Sequence, residues 1–220
     1  MRFNVKIAAL VFDKITVLDI VGPVEALSWL PGSEIVWVGK QKGPIRAAPT
    51  GLGMIVDKTL DEVTEADILI VPGGPGVRLL LKDEPLLDWV RHIHAGTQWT
   101  TSVCTGSLLL GAAGLLKGLE ATTHWNSTAV LESFGATYRE QRVIPQGKIV
   151  TSAGVSSGID MALWLIGKTA GDDAAKAAQL CIEYDPQPPY DAGSPSKAGA
   201  AVVAQARETV KDIIARTLAT

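Results

Sequence analysis

Cysteine is scarce in this chain: only Cys104 and Cys181 occur among 220 residues, too far apart to form a CxxC pair. That excludes a disulfide-stapled framework and fits two free thiols in burial-prone contexts and a reducing compartment. Histidine is nearly as sparse, and His92 and His94 stand two residues apart, without the i, i+4 spacing of a helical zinc pair. No metal is expected, and both side chains should face solvent. Long basic runs are absent, and 20 basic against 23 acidic residues give a net charge of -3. The chain therefore lacks the electrostatic footprint of a nucleic-acid binder. No segment reaches the roughly 18 uninterrupted apolar residues that span a bilayer, so no membrane partner is expected. The opening M-R-F-N-V-K-I-A-A-L-V-F begins like a signal peptide, but Lys6 interrupts it and Asp13-Lys14 follows without a small-residue cleavage site. A buried first strand fits better, and a soluble cytoplasmic protein is expected.

What is present is an alternation. Short apolar runs at Val5 to Phe12, Glu34 to Val38, Ile68 to Val71, Trp99 to Val103 and Lys148 to Thr151 have the lengths of buried strands. Between them lie helical patterns at Pro23 to Leu30, Glu84 to Ala95, Thr105 to Leu116, Asn126 to Phe134 and Ser157 to Thr169. Strand and helix alternating in this way predict βαβ units, a mostly parallel sheet and helices on both faces. Ile45 to Val56, with Pro49 and two glycines, reads as a hairpin excursion. After Gly171 come an alanine-rich helix to Tyr184 and then D-P-Q-P-P-Y-D-A-G-S-P, where four prolines between Pro186 and Pro195 cannot continue a helix. We read 184–196 as an arm packed along the surface by Tyr184 and Tyr190, leading into a last helix at about Ala198 to Leu218. At 23.2 kDa the chain has a size that one compact domain over 1–220 can fill.

Cys104, in T-S-V-C-T-G-S, sits where a strand turns directly into a helix. Such a turn resembles a nucleophile elbow, which pushes its side chain out at the carboxyl end of the sheet. Unpaired N–H groups at the helix start favour negative charge there, so a lowered thiol pKa is expected. The alternative is a small buried core residue. A second candidate is the loop in I-L-I-V-P-G-G-P-G-V. Gly73 and Gly74 allow close backbone approach, and the N–H groups of Gly74 and Thr105 could face a charge developing at Cys104. The spacing is neither GxGxxG nor a P-loop, so phosphate binding is poorly supported. His124, in A-T-T-H-W, could reach the same end of the sheet as a proton carrier or could be a structural histidine. A carboxyl near the first strand could exchange a proton with the thiol, and the residues alone leave Asp13, Asp19 and Glu25 open. Asp19 also reads as a helix cap.

L-D-I-V-G-P, V-P-G-G-P-G, T-S-V-C-T-G-S-L-L-L-G-A-A-G-L-L-K-G, A-T-T-H-W and E-Y-D-P-Q-P-P-Y-D-A-G-S-P resemble, in order and spacing, the DJ-1/PfpI superfamily and within it the isocyanide hydratases. The resemblance covers nearly the whole chain. It implies a flavodoxin-like sandwich, a homodimer and no cofactor. It also implies a cysteine nucleophile at Cys104, an essential acid at Asp19 and a hydroxyl neighbour at Thr105, with Asp13 and Glu25 dropping out. Protease-like members carry histidine directly after the cysteine, where this chain has Thr105, so peptidase chemistry is not expected. DJ-1-like members carry glutamate in place of Asp19, which argues against a copy of their cysteine oxidation. The implied reaction hydrates an isocyanide to an N-substituted formamide through a cysteine thioimidate. The alternatives are glyoxalase-type chemistry on a 2-oxoaldehyde, or a small-molecule or redox sensor of the kind fused to AraC-type regulators. The chain's end at Thr220, without room for a DNA-binding domain, weighs against the sensor.

Overall fold

The computed structural model describes residues 4–219; Met1 to Phe3, where the leader-like pattern starts, and Thr220 lie outside the described residues. Seven described strands make the main sheet: β1 (Val5–Leu10), β2 (Ser33–Gly39), β3 (Lys58–Thr59), β4 (Ile68–Val71), β5 (Trp99–Val103), β6 (Val143–Gln146) and β7 (Ile149–Ser152). Their spatial order is β6-β7-β5-β4-β1-β2-β3, with every pairing parallel except β6 on β7. The reason lies in composition: Ile68, Leu69, Ile70 and Val71 are all completely buried. A run without polar alternation must be covered on both faces, which a parallel sheet between helices provides. Each such side chain contributes roughly 1.5–3 kcal/mol relative to exposure.

The covering helices that matter here are α1 (Val17–Leu27), α2 (Glu84–Gly96), α3 (Gly106–Ala112), α4 (Ser157–Ala170), α5 (Asp172–Cys181) and α6 (Ala200–Leu218). α1 packs against α4, and α2 against α3. The chain runs from β1 out to β2 on one side, then returns to place β4 on β1's other side. Between β1 and β4 the winding reverses, and open α/β sheets bind ligands outside the strand ends at such a switch point. The loops leaving β1, β4 and β5 converge on that edge.

The Gly43–Arg46 and Gly53–Val56 strands form the expected antiparallel hairpin. Several boundaries differ. α1 begins at Val17, six residues before the expected start, and carries Pro23 within it. Asp19 is thus in the first turn of the helix and does not precede it. Edge strand β6, which contains Pro145, and β3, only two residues long, lie outside the expected apolar runs. α3 stops at Ala112, short of the expected Leu116, and Gly114 follows with φ of 80°. The alanine-rich helix ends at Cys181, and the last helix starts at Ala200. Cys181 is exposed, contrary to expectation, since α5 buries only Ala178. In the arm, Tyr184 packs as expected, but Tyr190 is 81% exposed.

Candidate active site

Cys104 occupies the step from β5 into α3 with φ of 57°, a conformation few side chains adopt. Surrounding bonds hold it there. Its N–H donates to the carbonyls of Ser152 (3.1 Å) and Ala153 (2.9 Å). Its carbonyl accepts from Ser107 Oγ and from Thr123 Oγ1, both at 3.1 Å. The turn is tight enough to need glycine at the next helical position: a Cβ on Gly106 would collide with the Val71 carbonyl of β4. Neither group can move away without breaking the sheet. Gly106→Ala should therefore lower stability by about 3 kcal/mol, the upper end of overpacking, read as a shift of the urea midpoint. A change below about 0.5 kcal/mol would contradict this packing.

Of the three acids left open, the structure brings one to the thiol. Asp19 is completely buried, whereas Asp13 and Glu25 are exposed, and Asp13 Oδ1 accepts the Arg46 N–H at 2.9 Å. Asp19 Oδ2 accepts the Gly73 N–H at 2.9 Å, so its carboxyl caps no helix. Oδ1 has no well-aligned donor, and the Cys104 thiol is the side chain that interacts with this carboxyl. The Gly74 N–H donates to Thr105 Oγ1 at 3.0 Å. Both loop glycines thus fasten the acid and the hydroxyl in place, and the Gly74 N–H does not point at a ligand. A Cβ on Gly73 would stand 2.5 Å from Thr105 N, 2.6 Å from Thr105 Oγ1 and 2.8 Å from Asp19 Oδ2. Only glycine lets these three groups meet.

Burial is the dominant influence on the charges. It pushes the Asp19 carboxyl up to about 7, although the Gly73 N–H and the Cys104 thiol pull it down. Burial, reinforced by the Asp19 charge, also raises the Cys104 thiol well above its ordinary value, against the N–H groups of Val155 and Thr105. The expected low-pKa thiolate is therefore corrected: one helix-start N–H and one loop N–H do not offset complete desolvation beside a carboxylate. At neutral pH the proton rests on sulfur while Asp19 is near its midpoint.

Val155 was not anticipated. Its N–H reaches Cys104 Sγ from the loop after β7, and its φ of 34° is strained for a β-branched residue. The available signal was A-G-V-S-S following a strand; what sequence could not show is that β7 lies next to β5. Thr123 and Ser107, which brace the Cys104 carbonyl, were equally invisible. His124 is half-buried; its Nδ1 accepts the Asn126 N–H at 3.3 Å, and burial and Arg78 lower its pKa. It stands against Gly154, where a Cβ would lie 3.0 Å from its Cδ2. His92 is exposed as expected, but His94 is partly buried, with Nδ1 2.8 Å from Thr100 Oγ1. Among the described residues no group of three or more His, Cys, Asp or Glu is placed to hold a metal ion.

A thiol on a strained strand-to-helix turn, facing a buried carboxyl across a glycine loop at the switch point of a parallel sheet, defines a class of α/β sandwich proteins with a cysteine at the elbow. The chain belongs to the DJ-1/PfpI family, whose model matches residues 5–168. It is 42% identical over 203 residues to an isonitrile hydratase of Pseudomonas putida, covering 92% of this chain and 89% of that protein. The crystal structure of a ThiJ/PfpI family protein from Pseudomonas syringae superposes with a TM-score of 0.91 at 36% identity, covering 98% of this chain and 89% of that one. Drosophila melanogaster DJ-1beta shares the fold, with a TM-score of 0.76 at 16% identity over 84% of this chain and all of that one. No described helix is long and apolar enough to cross a membrane.

Proposed function

We propose that this protein is an isocyanide hydratase, adding water to R–N≡C to give the N-substituted formamide R–NH–CHO. The observation that carries the reading is the buried pair of Cys104 and Asp19, a thiol beside a carboxyl whose pKa is about 7. Such a carboxyl can take and return a proton at neutral pH. Identity of 42% to the Pseudomonas putida hydratase supports this choice of substrate class.

In the first step Asp19 removes the thiol proton as Cys104 Sγ bonds to the terminal isocyanide carbon. The carbon becomes basic as that bond forms, and Asp19 returns the proton to it, leaving the thioimidate Cys–S–CH=N–R. Water then adds to the same carbon, with one of its protons passing through Asp19 to nitrogen. Cleavage of the C–S bond, with the remaining hydroxyl proton passing to sulfur, releases the formamide and restores the thiol. Nothing is oxidised or reduced, so the cycle needs no external electron carrier. A dry site suits this sequence, because the carbon must meet Asp19 before bulk water. Thr105 Oγ1 accepts from Gly74, while its own proton has only a 3.5 Å approach to the Gly74 carbonyl. That hydroxyl is left to donate to substrate or to the attacking water. The same reading carries the cofactor-free, cytoplasmic homodimer that the family likeness implies.

The discriminating assay offers cyclohexyl isocyanide and methylglyoxal to the purified protein side by side. Formamide should accumulate from the first, with turnover of the second at least tenfold lower in kcat/KM. Lactate production without formamide would move the assignment to the glyoxalase-type branch.

A further inference from the structure

A cavity of about 1300 Å³ lies beneath the 184–196 arm. Small-molecule sites run to roughly 300–1,000 Å³, so this space exceeds what a minimal isocyanide needs. Thr123 and Ala153 line it, and both are bonded to the backbone of Cys104, one at its carbonyl and the other at its N–H. Gly154 also lines it, against His124 and one residue before Val155, whose N–H serves Cys104 Sγ. The cavity therefore backs directly onto the elbow.

Its walls have an unusual composition. Trp125, Tyr138 and Tyr184 contribute half-buried aromatic surface, and no Leu, Ile, Val, Met or Phe among the described residues lines the space. The Trp125 ring lies 5.5 Å from the His124 ring and 5.8 Å from the Arg207 guanidinium of α6. Most of the charges in the lining are engaged: Tyr184 Oη donates to Asp160 Oδ1 at 2.7 Å, Arg142 Nε pairs with Asp160 Oδ2, Lys197 pairs with Asp191, and Glu140 accepts from Ser196 Oγ. The latch of Tyr184, Asp160 and Arg142 holds the arm against α4 and leaves no free charge from that trio in a lining that includes the Trp125, Tyr138 and Tyr184 rings. Aromatic faces gain from an arene through burial and from edge or offset stacking, which a branched alkyl group does not supply.

We infer that this arm-covered cavity receives the N-substituent of the isocyanide and selects an aromatic one. The inference rests on the hydratase reading, and its test has one readout that does not require turnover. The first readout is the ratio of kcat/KM for phenyl isocyanide to that for cyclohexyl isocyanide, in the wild type and in Trp125→Ala and Tyr138→Leu. The ratio should fall about tenfold in each variant. The second is calorimetric binding of N-phenylformamide, which should weaken about tenfold in the same proteins, with circular dichroism confirming that they are folded. Equal losses for both isocyanides, or unchanged N-phenylformamide affinity in both variants, would overturn the cavity assignment. If the wild type hydrates neither isocyanide but still binds N-phenylformamide through Trp125, the reaction is wrong and the aromatic site stands.

Discussion

Cys104→Ala should leave no isocyanide turnover above background, a loss on the order of 10⁴-fold or more in kcat by analogy with removal of other covalent nucleophiles. The fold should persist, because the change removes one buried sulfur and leaves a small residue at the φ of 57° that the surrounding bonds impose. The hydrogen bonds that fix the elbow run to the backbone N–H and carbonyl of residue 104, so alanine retains them. A loss of about 1 kcal/mol or less in stability is expected. Cys104→Ser separates nucleophilicity from packing: it restores the volume and a hydroxyl, yet should be nearly as inactive, since Asp19 at about 7 is a weak base for an alcohol. Intact-mass analysis of the wild type during slow turnover should show a gain equal to one isocyanide, as expected for thioimidate formation, and no such gain in either variant. Turnover within tenfold of wild type by Cys104→Ala would remove the cysteine from the mechanism.

Much of this site was legible in the sequence, for reasons that can be stated residue by residue. A cysteine between an apolar run and small residues predicts an elbow because the strand and the helix are each encoded locally. Glycines at 73 and 74 announce a close approach, but not to what. The structure supplies the answer, since Asp19 Oδ2 and Thr105 Oγ1 take their N–H groups. Resemblance, not residue chemistry, singled out Asp19 among the three acids; burial separates them physically, and burial depends on α1 starting at Val17. The charge state of the thiol was misjudged from sequence because local helix-end dipoles are visible there, whereas desolvation by the whole core is not. Val155 and Thr123 escaped for a related reason. Their roles arise from β7 lying beside β5 and from a short crossing segment, and pairing between distant strands leaves no mark in either segment alone.

Asp19→Asn should separate catalysis from stability. Asparagine keeps an oxygen for the Gly73 N–H and turns an amide toward the thiol, so the site's shape is retained while its proton carrier is lost. A fall of at least 10²-fold in kcat is expected from removal of general acid–base catalysis. In the wild type the reactive form pairs a neutral thiol with an ionised Asp19, so kcat/KM should rise with pH through about 7. The residual activity of Asp19→Asn should lack that inflection. Stability should move the opposite way. Burial raises the folded carboxyl above its unfolded value, so the protonated group's contribution is fully present below about pH 4 and is lost as pH rises through about 7. Asparagine has no proton to lose. The variant should therefore match the wild type in urea midpoint near pH 4 and exceed it at pH 8–9, by a margin on the order of 4 kcal/mol at most, from about 1.36 kcal/mol per pH unit between 3.8 and about 7. A stability difference that stays constant across this range would show that Asp19 does not titrate there. The proposed mechanism would then lose the near-neutral proton carrier on which both of its steps depend.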